Sequence, residues 1–538
     1  MNLLDDAWMP IRRHDGSRGW IAPHQLGEPT LAAFDACRPD FNGALAQYAI
    51  GLLQSCSPVE GRSAWSKGLT TPPAAATLRD WFDPVRSAFE FDGDGARFMQ
   101  DFELRDGDPI GIGSLLIDSP GTNTLKENKD HFVKRGRVEA LCPACAALAL
   151  FTLQVNGPQG GSGHRTGLRG GGPLTTLLTA GGPDAPLWTQ LWLNVSPRDR
   201  WLAGGVPAGN ESPNFRFPWL APQTAQQPPD GQTTPVQTHP DQVFWAMPRR
   251  IRLDISDLRE GACDLCGRES AQLIQRYVSR KHGINYKGDW RHPLTPYTET
   301  KEGMVPLHPQ PDGLGWRHWA GWVLGLHSAQ KRIEPAAALT ENIGRLERSL
   351  GRPLQLWAFG FDMDSMKARC WYDSTLPLYH LADLDATEQR ALRDEVGGWV
   401  AGTHQAARYL VQAVKNAWFS ADAPGDFSFV DAAFWSRTEG TFYHLLQQAI
   451  AAPAIEQQQP RAQSLLTALK RTALALFDHD FVGAGPVTAV NPARVARAHH
   501  RLLGQLGGDE LRRLLLLPVD ATKSTKLVKA GKTTPPTN

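Results

Sequence analysis

The sequence has little excess charge of either sign. Its 538 residues carry 56 Lys and Arg against 55 Asp and Glu, which leaves a formal net charge of +1 at pH 7. A free-standing DNA-binding domain is usually more basic, so any contact with a polyanion must use local patches. The chain is also too long for a single hydrophobic core, and we expect two or three domains.

The sequence also lacks the signals of membrane insertion and secretion. No uninterrupted apolar run reaches the roughly 18 residues that a membrane span needs. The opening MNLLDDAWMP carries Asp5 and Asp6 and has no basic region ahead of a long apolar core, so it does not match a secretory signal. Only seven cysteines are present, an odd number that fits a reducing compartment better than a disulfide framework. We expect a cytoplasmic protein without membrane contact.

Four of the cysteines form two Cys-x-x-Cys pairs, one at Cys142 and Cys145 and one at Cys263 and Cys266. Two such pairs can supply four thiolates to one tetrahedral metal ion, although the spacer here is far longer than in a compact zinc ribbon. The alternative is redox chemistry by a dithiol at a helix N-terminus. We favour a structural Zn²⁺ site, which four thiolates would close to a catalytic water.

A glycine-rich loop follows the first cysteine pair. Residues 157–172, GPQGGSGHRTGLRGGG, include two arginines, Arg165 and Arg169. So much glycine lets backbone N–H groups approach a ligand closely. Neither a Walker loop nor a dinucleotide-binding loop is intact here, and an irregular turn without a ligand is an equally good interpretation.

Basic residues gather in three further segments. In residues 123–141 five Lys and Arg surround Phe132, which indicates either a solvated charged loop, the favoured interpretation, or a loop that grips a nucleic-acid backbone or a partner. Arg249, Arg250 and Arg252 alternate with apolar residues, as in a strand with one basic face. Residues 275–287 again alternate basic and apolar side chains.

The C-terminal third of the sequence has a different pattern from the rest. Residues 354–372 predict two strands around a polar apex near Asp364 and Lys367. Four amphipathic helical segments then follow, at residues 387–419, 431–450, 461–477 and 491–517. We therefore predict an α+β protein: a large mixed α/β domain over 1–380 with a zinc-knuckle-like clip of four cysteines, an all-α four-helix bundle over 381–518, and a disordered tail over 519–538.

Together these features resemble a known family, the CasA large subunit of the type I-E CRISPR surveillance complex, Cascade. The resemblance rests on the opening NLLDDAWMPIR, the stretch DHFVKRGRVEALCPAC, the loop GPQGGSGHRTGLRGGGPLTTL, the knuckle CDLCGRES, the hairpin GFDMDSMKARCWYD and the helical C-terminus. These pieces occur in the right order over nearly the whole chain.

The resemblance implies a non-catalytic subunit that recognises a protospacer-adjacent motif in duplex DNA and helps to open the duplex for guide pairing. The implied DNA-binding residues are the loop residues Gly157, Gly160, Gly161, Ser162 and Gly163, the groove residue Lys281, and the wedge residues Asp364, Ser365, Met366 and Lys367. The implied contacts with guide RNA or neighbouring subunits are Phe132, Lys134, Arg135 and Arg137.

The same resemblance implies several partners. They are the backbone and small subunits of Cascade, the 5′ handle of the CRISPR guide RNA, target double-stranded DNA and a helicase-nuclease. Two alternatives stay open: a zinc-containing, metal-dependent nucleic-acid enzyme that uses Asp362, Asp364 and His164, and a scaffold that binds only protein.

Overall fold

The computed structural model describes residues 1–121, 125–126, 136–158, 163–222, 231–311, 313–327, 332–342, 350–364, 367–379, 381, 384–419, 425–483 and 491–519. Internal contacts divide the chain into two compact units, Met1–Leu314 with His327–Leu378, and Gly315–Leu326 with Tyr379–Asn538. Within the described residues, no helix combines the length and apolar character that crossing a bilayer requires. The domain limits given above stay predictions.

Helices and strands alternate irregularly in the first unit. Its helices are α1 Pro39–Cys56, α2 Arg62–Thr70, α3 Ala75–Phe82, α4 Pro143–Asn156, α5 Leu187–Trp192, α6 Arg198–Trp201, α7 Pro213–Arg216 and α9 Ala337–Asn342. Its strands are β1 Met9–Arg13, β2 Arg18–Ile21, β3 Leu31–Phe34, β4 Ile110–Gly111, β5 Thr175–Ala180, β6 Arg250–Asp254, β7 Arg259–Ala262, β8 Glu269–Leu273, β9 Arg276–Arg280, β10 Tyr297–Thr300, β11 Gly303–Pro306, β13 Arg332–Glu334, β14 Leu354–Asp364 and β15 Lys367–Pro377. A two-residue strand, β12 Leu326–His327, lies where the two units divide.

The strands of the first unit form several small sheets. Strand β1 pairs with β2 and β3, β9 lies between β4 and β6, and β14 lies between β5 and β15. The ribbon β7–β8 carries the second cysteine pair at its turn. The sheets bring together segments that are distant in sequence, which is how the candidate site is assembled.

The core of the first unit is an aromatic cluster around Tyr48 of α1. Its ring makes edge-to-face contacts with Trp8, Phe89, Phe98 and Trp245, with ring centroids 5.1–6.0 Å apart. Such contacts stabilise beyond the burial of area alone. Phe151 of α4 packs against the same ring, so α4 is anchored in the centre of the unit.

The second unit is helical. Its elements are α8 Trp319–Val323, α10 Ala386–Trp418, α11 Ser428–Ala451, α12 Gln458–Ala475, α13 Pro492–Leu506 and α14 Asp509–Leu514. The 33-residue α10 packs against each of the four helices that follow it. The predicted combination of a mixed α/β part with a helical C-terminal region is confirmed.

Shorter helical turns connect these elements. The 3₁₀ turns are Pro23–Gln25, Asp83–Phe89, Ile112–Leu115, Pro218–Leu220, Pro235–Gln237, Pro240–Val243, Trp316–His318 and Ile455–Gln457, and a π-helical turn covers Leu476–Phe481.

The last predicted helix differs from the structure. Residues 491–517 were expected to form one segment, but the helix ends at Leu506 and a new one starts at Asp509. Gly507 and Gly508 lie between them, and Gly508 has extended backbone angles. Two consecutive glycines cost a helix interior about 2 kcal/mol relative to alanine, which explains the break.

A buried ion pair joins α10 to α12. Both oxygens of Glu395 accept hydrogen bonds from Arg461, at 2.8 and 2.9 Å, and the two side chains are 4–5% exposed. Arg461 also donates to the carbonyl of Ala452 at 3.1 Å. Glu395 and Ala452, which accept these hydrogen bonds from Arg461, both belong to the helical unit.

Replacing Glu395 by glutamine should destabilise the protein by about 3–5 kcal/mol, because the charge of Arg461 stays buried without a counter-charge. Urea denaturation followed by circular dichroism measures the loss. The matched control is Asp480→Asn, which removes the partner of the exposed Arg437 and should cost less than about 1 kcal/mol. Equal, small losses of unfolding free energy in the two variants would contradict a buried ion pair between Glu395 and Arg461.

Candidate functional site

The two cysteine pairs meet in space. The sulfur atoms of Cys142, Cys145, Cys263 and Cys266 all lie within 4.8 Å of one another. In the described part of the chain, these four residues form a group that could hold a metal ion. The Sγ atoms of Cys142 and Cys266 are 3.8 Å apart. Thiolates about 2.3 Å from one tetrahedral Zn²⁺ would be about 3.8 Å apart, so the donor set and its spacing fit a metal ion of this type. We call these four residues the cysteine cluster.

Backbone pairing holds the two halves of the cluster together. Leu141, just before Cys142, exchanges two backbone hydrogen bonds with Ile274, at 3.0 and 2.8 Å. The carboxylate of Asp264 accepts hydrogen bonds from the backbone N–H groups of Glu139 and Ala140, both at 2.7 Å. The protein therefore fixes the sites of the four thiols through contacts that do not involve the sulfur atoms.

The thiols also influence one another. Hydrogen bonds with Cys142 and Cys145 lower the pKa of Cys266 to about 7, and the same two partners lower the pKa of Cys263. A metal ion needs its cysteine ligands as thiolates. The mutual contacts raise the pKa of the other two thiols, Cys142 and Cys145, so the cluster favours the thiolate at two sulfur atoms and the thiol at two.

Helix α4 links the cluster to the glycine loop, residues 157–172. Cys142 precedes the helix as its N-cap, with Pro143 in the first turn, where a missing N–H costs nothing. At the other end, the N–H of Gly157 donates to the carbonyl of Leu153 at 2.9 Å. Because almost every residue of α4 is buried, the helix fixes where the loop begins.

The loop is closed by backbone hydrogen bonds at its base. Gly172 N–H donates to Asn156 at 2.8 Å, and Gly167 N–H donates to Gly157 at 3.0 Å. The guanidinium of Arg249, just before β6, donates to the carbonyl of Pro158. The two ends of the loop, at residues 157 and 172, therefore meet at the end of α4.

Lys281 lies beside this loop because the next residue, His282, is hydrogen-bonded to the loop. The backbone N–H of His282 donates to the carbonyl of Gly163 at 2.9 Å. Gly163 has a φ of 88°, and a Cβ at this position would lie 2.8 Å from the His282 ring, so only glycine allows this approach. Lys281 is exposed. The structure thus brings Gly157, Gly163 and Lys281 together.

The β14–β15 hairpin approaches the other end of the loop. A Cβ on Gly172, whose φ is 60°, would lie 2.5 Å from the carbonyl oxygen of Phe361 and 2.9 Å from the side chain of Met363. The glycine loop therefore contacts both the segment after β9 and the distal part of β14.

The distal part of the hairpin extends past its sheet. Strand β5 pairs with β14 only over Leu354–Phe359, while β15 pairs with β14 as far as Asp364 and Lys367. Asp362 is buried and accepts two hydrogen bonds from Arg369, at 2.9 and 2.7 Å. This bidentate pair stiffens the extension near its apex. The predicted hairpin, with Asp364 and Lys367 at its end, is confirmed.

A cavity of about 340 Å³ opens beside the glycine loop. The described residues that line it include His164, Arg165 and Lys287, and none of them is acidic. Burial, with nearby Arg249, Lys281 and His282, lowers the pKa of His164. The surroundings of the loop are therefore favourable to an anion.

Arg169 of the glycine loop does not face solvent. It is buried and donates to Thr175, Thr295 and Gln47. It anchors the loop in the core and cannot reach a ligand.

The predicted basic face of β6 is also not a surface. Arg252 is buried and donates to the carbonyl groups of Asp101 and Gly95, while Arg250 pairs with the carboxylate of Asp101. The strand itself is confirmed. Its arginines satisfy internal acceptors, which the alternating pattern could not reveal.

Several predicted site residues lie outside the described part of the chain. They are Phe132, Lys134, Arg135, Gly160, Gly161, Ser162, Ser365 and Met366. Arg137 is described and exposed, and it lines a cavity of about 420 Å³ with Gly136, Asp257 and Arg276.

Sequence reasoning missed His282 and assigned Arg249 to a basic strand face, whereas both residues hold the glycine loop. The one available signal for His282 was its position next to Lys281. The alternative metal site of Asp362, Asp364 and His164 is not assembled, because both carboxylate oxygens of Asp362 are bound to Arg369.

The fold has counterparts among solved structures. Cse1 from Thermobifida fusca matches with a TM-score of 0.67 at 17% identity, over 96% of this chain and 98% of that chain. CasA (Cse1) from Thermus thermophilus matches with a TM-score of 0.65 at 18% identity, over 96% and 100%. A chain of a CRISPR RNA-guided surveillance complex matches with a TM-score of 0.66 at 16% identity, over 94% and 99%.

The sequence itself matches a family model. The model of CRISPR-associated protein Cse1 covers residues 2–476, which include the cysteine cluster, the glycine loop, the hairpin and the first helices of the second unit. The resemblance drawn from the sequence is confirmed, and the chain belongs to the Cse1 (CasA) family of CRISPR-associated proteins.

Proposed function

We propose that this chain is the large subunit of a type I-E CRISPR surveillance complex, Cascade, and that it recognises a protospacer-adjacent motif in duplex DNA. Membership of the Cse1 family supports the first part, as does the similarity in fold to a chain of a CRISPR RNA-guided surveillance complex. The observation that carries the second part is the convergence of the glycine loop, Lys281 and the distal hairpin around surroundings that favour an anion.

The glycine loop and Lys281 suit the minor groove of DNA. A lobe of glycine backbone is thin enough to enter a narrow groove, and an exposed ammonium gains from the negative potential there. Hydrogen bonds in the minor groove distinguish A·T from G·C and little more. Recognition by these elements would therefore accept more than one motif.

The cationic cavity beside the loop suits the DNA backbone. Arg165 and Lys287 line it, and no acidic side chain is among its described lining residues. Contacts to phosphates position a protein on a duplex without reading its sequence. In this arrangement Lys281 reads the groove, and Arg165 and Lys287 hold the neighbouring backbone.

The distal hairpin suits the role of a wedge. Asp364, Ser365, Met366 and Lys367 would be pushed under the motif, at the first base pair to be opened, on an extension stiffened by the pair of Asp362 and Arg369. Opening one step costs on the order of 1–2 kcal/mol of stacking, which pairing with the guide RNA recovers. The protein thus starts the opening and the RNA continues it.

Other parts of the chain would serve assembly. The segment of Phe132, Lys134, Arg135 and Arg137 is proposed to contact the guide RNA 5′ handle and the backbone subunits, and the C-terminal helices to contact the small subunits. The complex would recruit a separate helicase-nuclease to the opened target. The chain itself is proposed to be non-catalytic.

The cysteine cluster is proposed to hold one structural Zn²⁺ ion through four thiolates. The ion would supply a cross-link between the segment that enters α4 and the turn of the β7–β8 ribbon. Cys142 and Cys145 lead into the glycine loop, whereas Cys263 and Cys266 lead through β8 and β9 to Lys281. The cross-link would hold these two DNA-reading elements at a fixed separation.

Replacing Lys281 by alanine should weaken binding of motif-bearing duplex by the assembled complex about tenfold, or ~1.4 kcal/mol, because the groove loses its cation. Subunit assembly should be unchanged. The matched control is Lys67→Ala, which removes an exposed lysine of α2 and should leave the affinity unchanged. Titration of labelled duplex measures both, and equal affinities for Lys281→Ala and the unmodified complex would refute the assignment.

The full-length chain should contain about one zinc ion, measured by mass spectrometry of the acid-released metal. Cys142→Ser and Cys263→Ser should lose it, because three thiolates leave the site open. Cys370→Ser, at an exposed cysteine of β15, should keep it. A stable purified chain without zinc, or cluster variants that retain the full amount, would disprove the cross-link.

Replacing Ser365 and Met366 together by Asn-Gly should slow strand opening more than duplex capture. Asn-Gly is favoured in two-residue hairpin turns, so the change removes the Met366 side chain and replaces the Ser365 hydroxyl by an amide while suiting the paired strands. Fluorescence of a base analogue beside the motif measures opening. The control is Lys301→Asn with Glu302→Gly, at the two positions between β10 and β11. Unchanged opening with the first variant would exclude a wedge at this apex.

A further inference from the structure

A fifth cysteine lies beside the cysteine cluster. Cys37 is exposed and occurs in the connection between β3 and α1. The residues before it are fixed, because the N–H of Asp35 donates to Pro10 at 3.0 Å and the N–H of Ala36 donates to the side chain of Asn42 at 2.8 Å. Cys37 is thus held next to the cluster and remains accessible to solvent.

Cys37 lies at the entrance to the cluster. A cavity of about 370 Å³ is lined by Cys37, Cys145 and Cys266, with Leu148 of α4 beside them and walls from β1, β2 and the segment after β3. The wall from β2 is joined to the knuckle, because the guanidinium of Arg268 stacks on the ring of Trp20 at 4.8 Å. Solvent therefore reaches Cys145 and Cys266 through this cavity, and the thiol of Cys37 lies at its rim.

Among the four cluster residues, Cys145 is the neighbour of Cys37. Both Cys37 and Cys145 line the cavity described above. The Cys145 side chain lowers the pKa of the Cys37 thiol by hydrogen bonding, whereas Cys263 and Cys266 act on that pKa only through charge. A thiolate at position 37 could therefore approach a metal ion in the cluster from the side of Cys145.

Such an approach is chemically simple. Zn²⁺ has no geometric preference from its d electrons and can expand to five ligands, so one thiolate can enter before another leaves. The Zn–S bond to Cys37 forms, the bond to Cys145 breaks, and the proton of the Cys37 thiol passes to the Cys145 sulfur. No electron is transferred, and the net charge of the site stays the same.

We propose that Cys37 is an exchange ligand of the cysteine cluster, which takes the place of Cys145 when metal enters or leaves. This inference rests on the proposed Zn²⁺ site. It assigns a role to an exposed thiol that the four-ligand cross-link leaves unused, and it predicts that the centre tolerates the loss of Cys145 better than the loss of Cys142.

The first test uses Co²⁺ in place of Zn²⁺ in the full-length chain, because thiolate-to-cobalt absorption reports the number of bound thiolates. Cys145→Ala should keep the four-thiolate spectrum. Adding Cys37→Ala should remove about one quarter of the charge-transfer intensity, one ligand of four, whereas adding Cys370→Ala should not. Equal spectra for Cys145→Ala with and without Cys37 would overturn the proposal.

The second test leaves the cluster intact and does not depend on the folding of Cys145→Ala. The Zn²⁺-loaded chain and its Cys37→Ala variant are mixed with a chromogenic chelator, and metal release is followed over time. Release from Cys37→Ala should be slower by about tenfold, a rise of about 1.4 kcal/mol in the barrier, because no incoming thiolate assists the departure of a cluster ligand. Equal release rates would overturn the exchange role.

The Zn²⁺ site and the exchange ligand can fail separately. If the unmodified chain gives no thiolate-to-cobalt absorption, the proposed Zn²⁺ site and the role of Cys37 are both wrong. If the unmodified chain gives the four-thiolate spectrum but Cys37→Ala changes neither the spectrum of Cys145→Ala nor the release rate, the Zn²⁺ site stands and only the exchange ligand is disproved.

Discussion

The burial of helix α4 is the constraint on which the candidate site depends. Its 14 residues, Pro143–Asn156, are nearly all buried against α1 and the aromatic cluster around Tyr48, so the helix cannot shift without exposing core surface. At 1.5 Å per residue it is about 21 Å long. The cysteine cluster lies at its N-terminus and the glycine loop at its C-terminus. A packed helix thereby sets the distance between a cross-link and a loop that has too much glycine to hold its own position.

A second segment runs between the same two places. Ile274 pairs with Leu141 at the cluster, and His282, eight residues later, binds Gly163 in the loop. Eight extended residues span about 26 Å, slightly more than the length of α4, so this segment and the helix are matched in length. Helix α4 and this segment both connect the cysteine cluster at one end with the glycine loop and Lys281 at the other. The cluster therefore influences the position of the glycine loop indirectly, through helix α4 and the segment from Ile274 to His282.

The parts of this arrangement that depend on local pattern could be predicted from the sequence. The spacing of the cysteines indicated one four-thiolate group, apolar residues on both sides of a polar apex indicated the hairpin, and helical periodicity indicated α10 to α13. Whether each arginine is buried or exposed could not be predicted, because burial depends on hydrogen-bond acceptors that are distant in the chain. Arg169 is buried because Gln47, Thr175 and Thr295 offer oxygen atoms to it, and no periodicity encodes such a set. His282 was overlooked for the same reason: its contact with Gly163 is a product of how β9 ends.

Internal ion pairs remove as many cations as carboxylates, so a chain with a net charge of only +1 can be cationic at the glycine loop only through the local distribution of its exposed charges. Asp101 and Asp362 are buried and are occupied by Arg250 and Arg369, so these carboxylates contribute little field outside. Lys281 and Lys287 are exposed next to the glycine loop, and the described residues that line the cavity around Lys287 include no carboxylate. Because so few cations are involved, the affinity for a polyanion that they provide is small and falls only gently with salt. Tight binding to DNA would then require charges from elsewhere, which agrees with the proposal that the chain acts on a duplex as part of a larger complex.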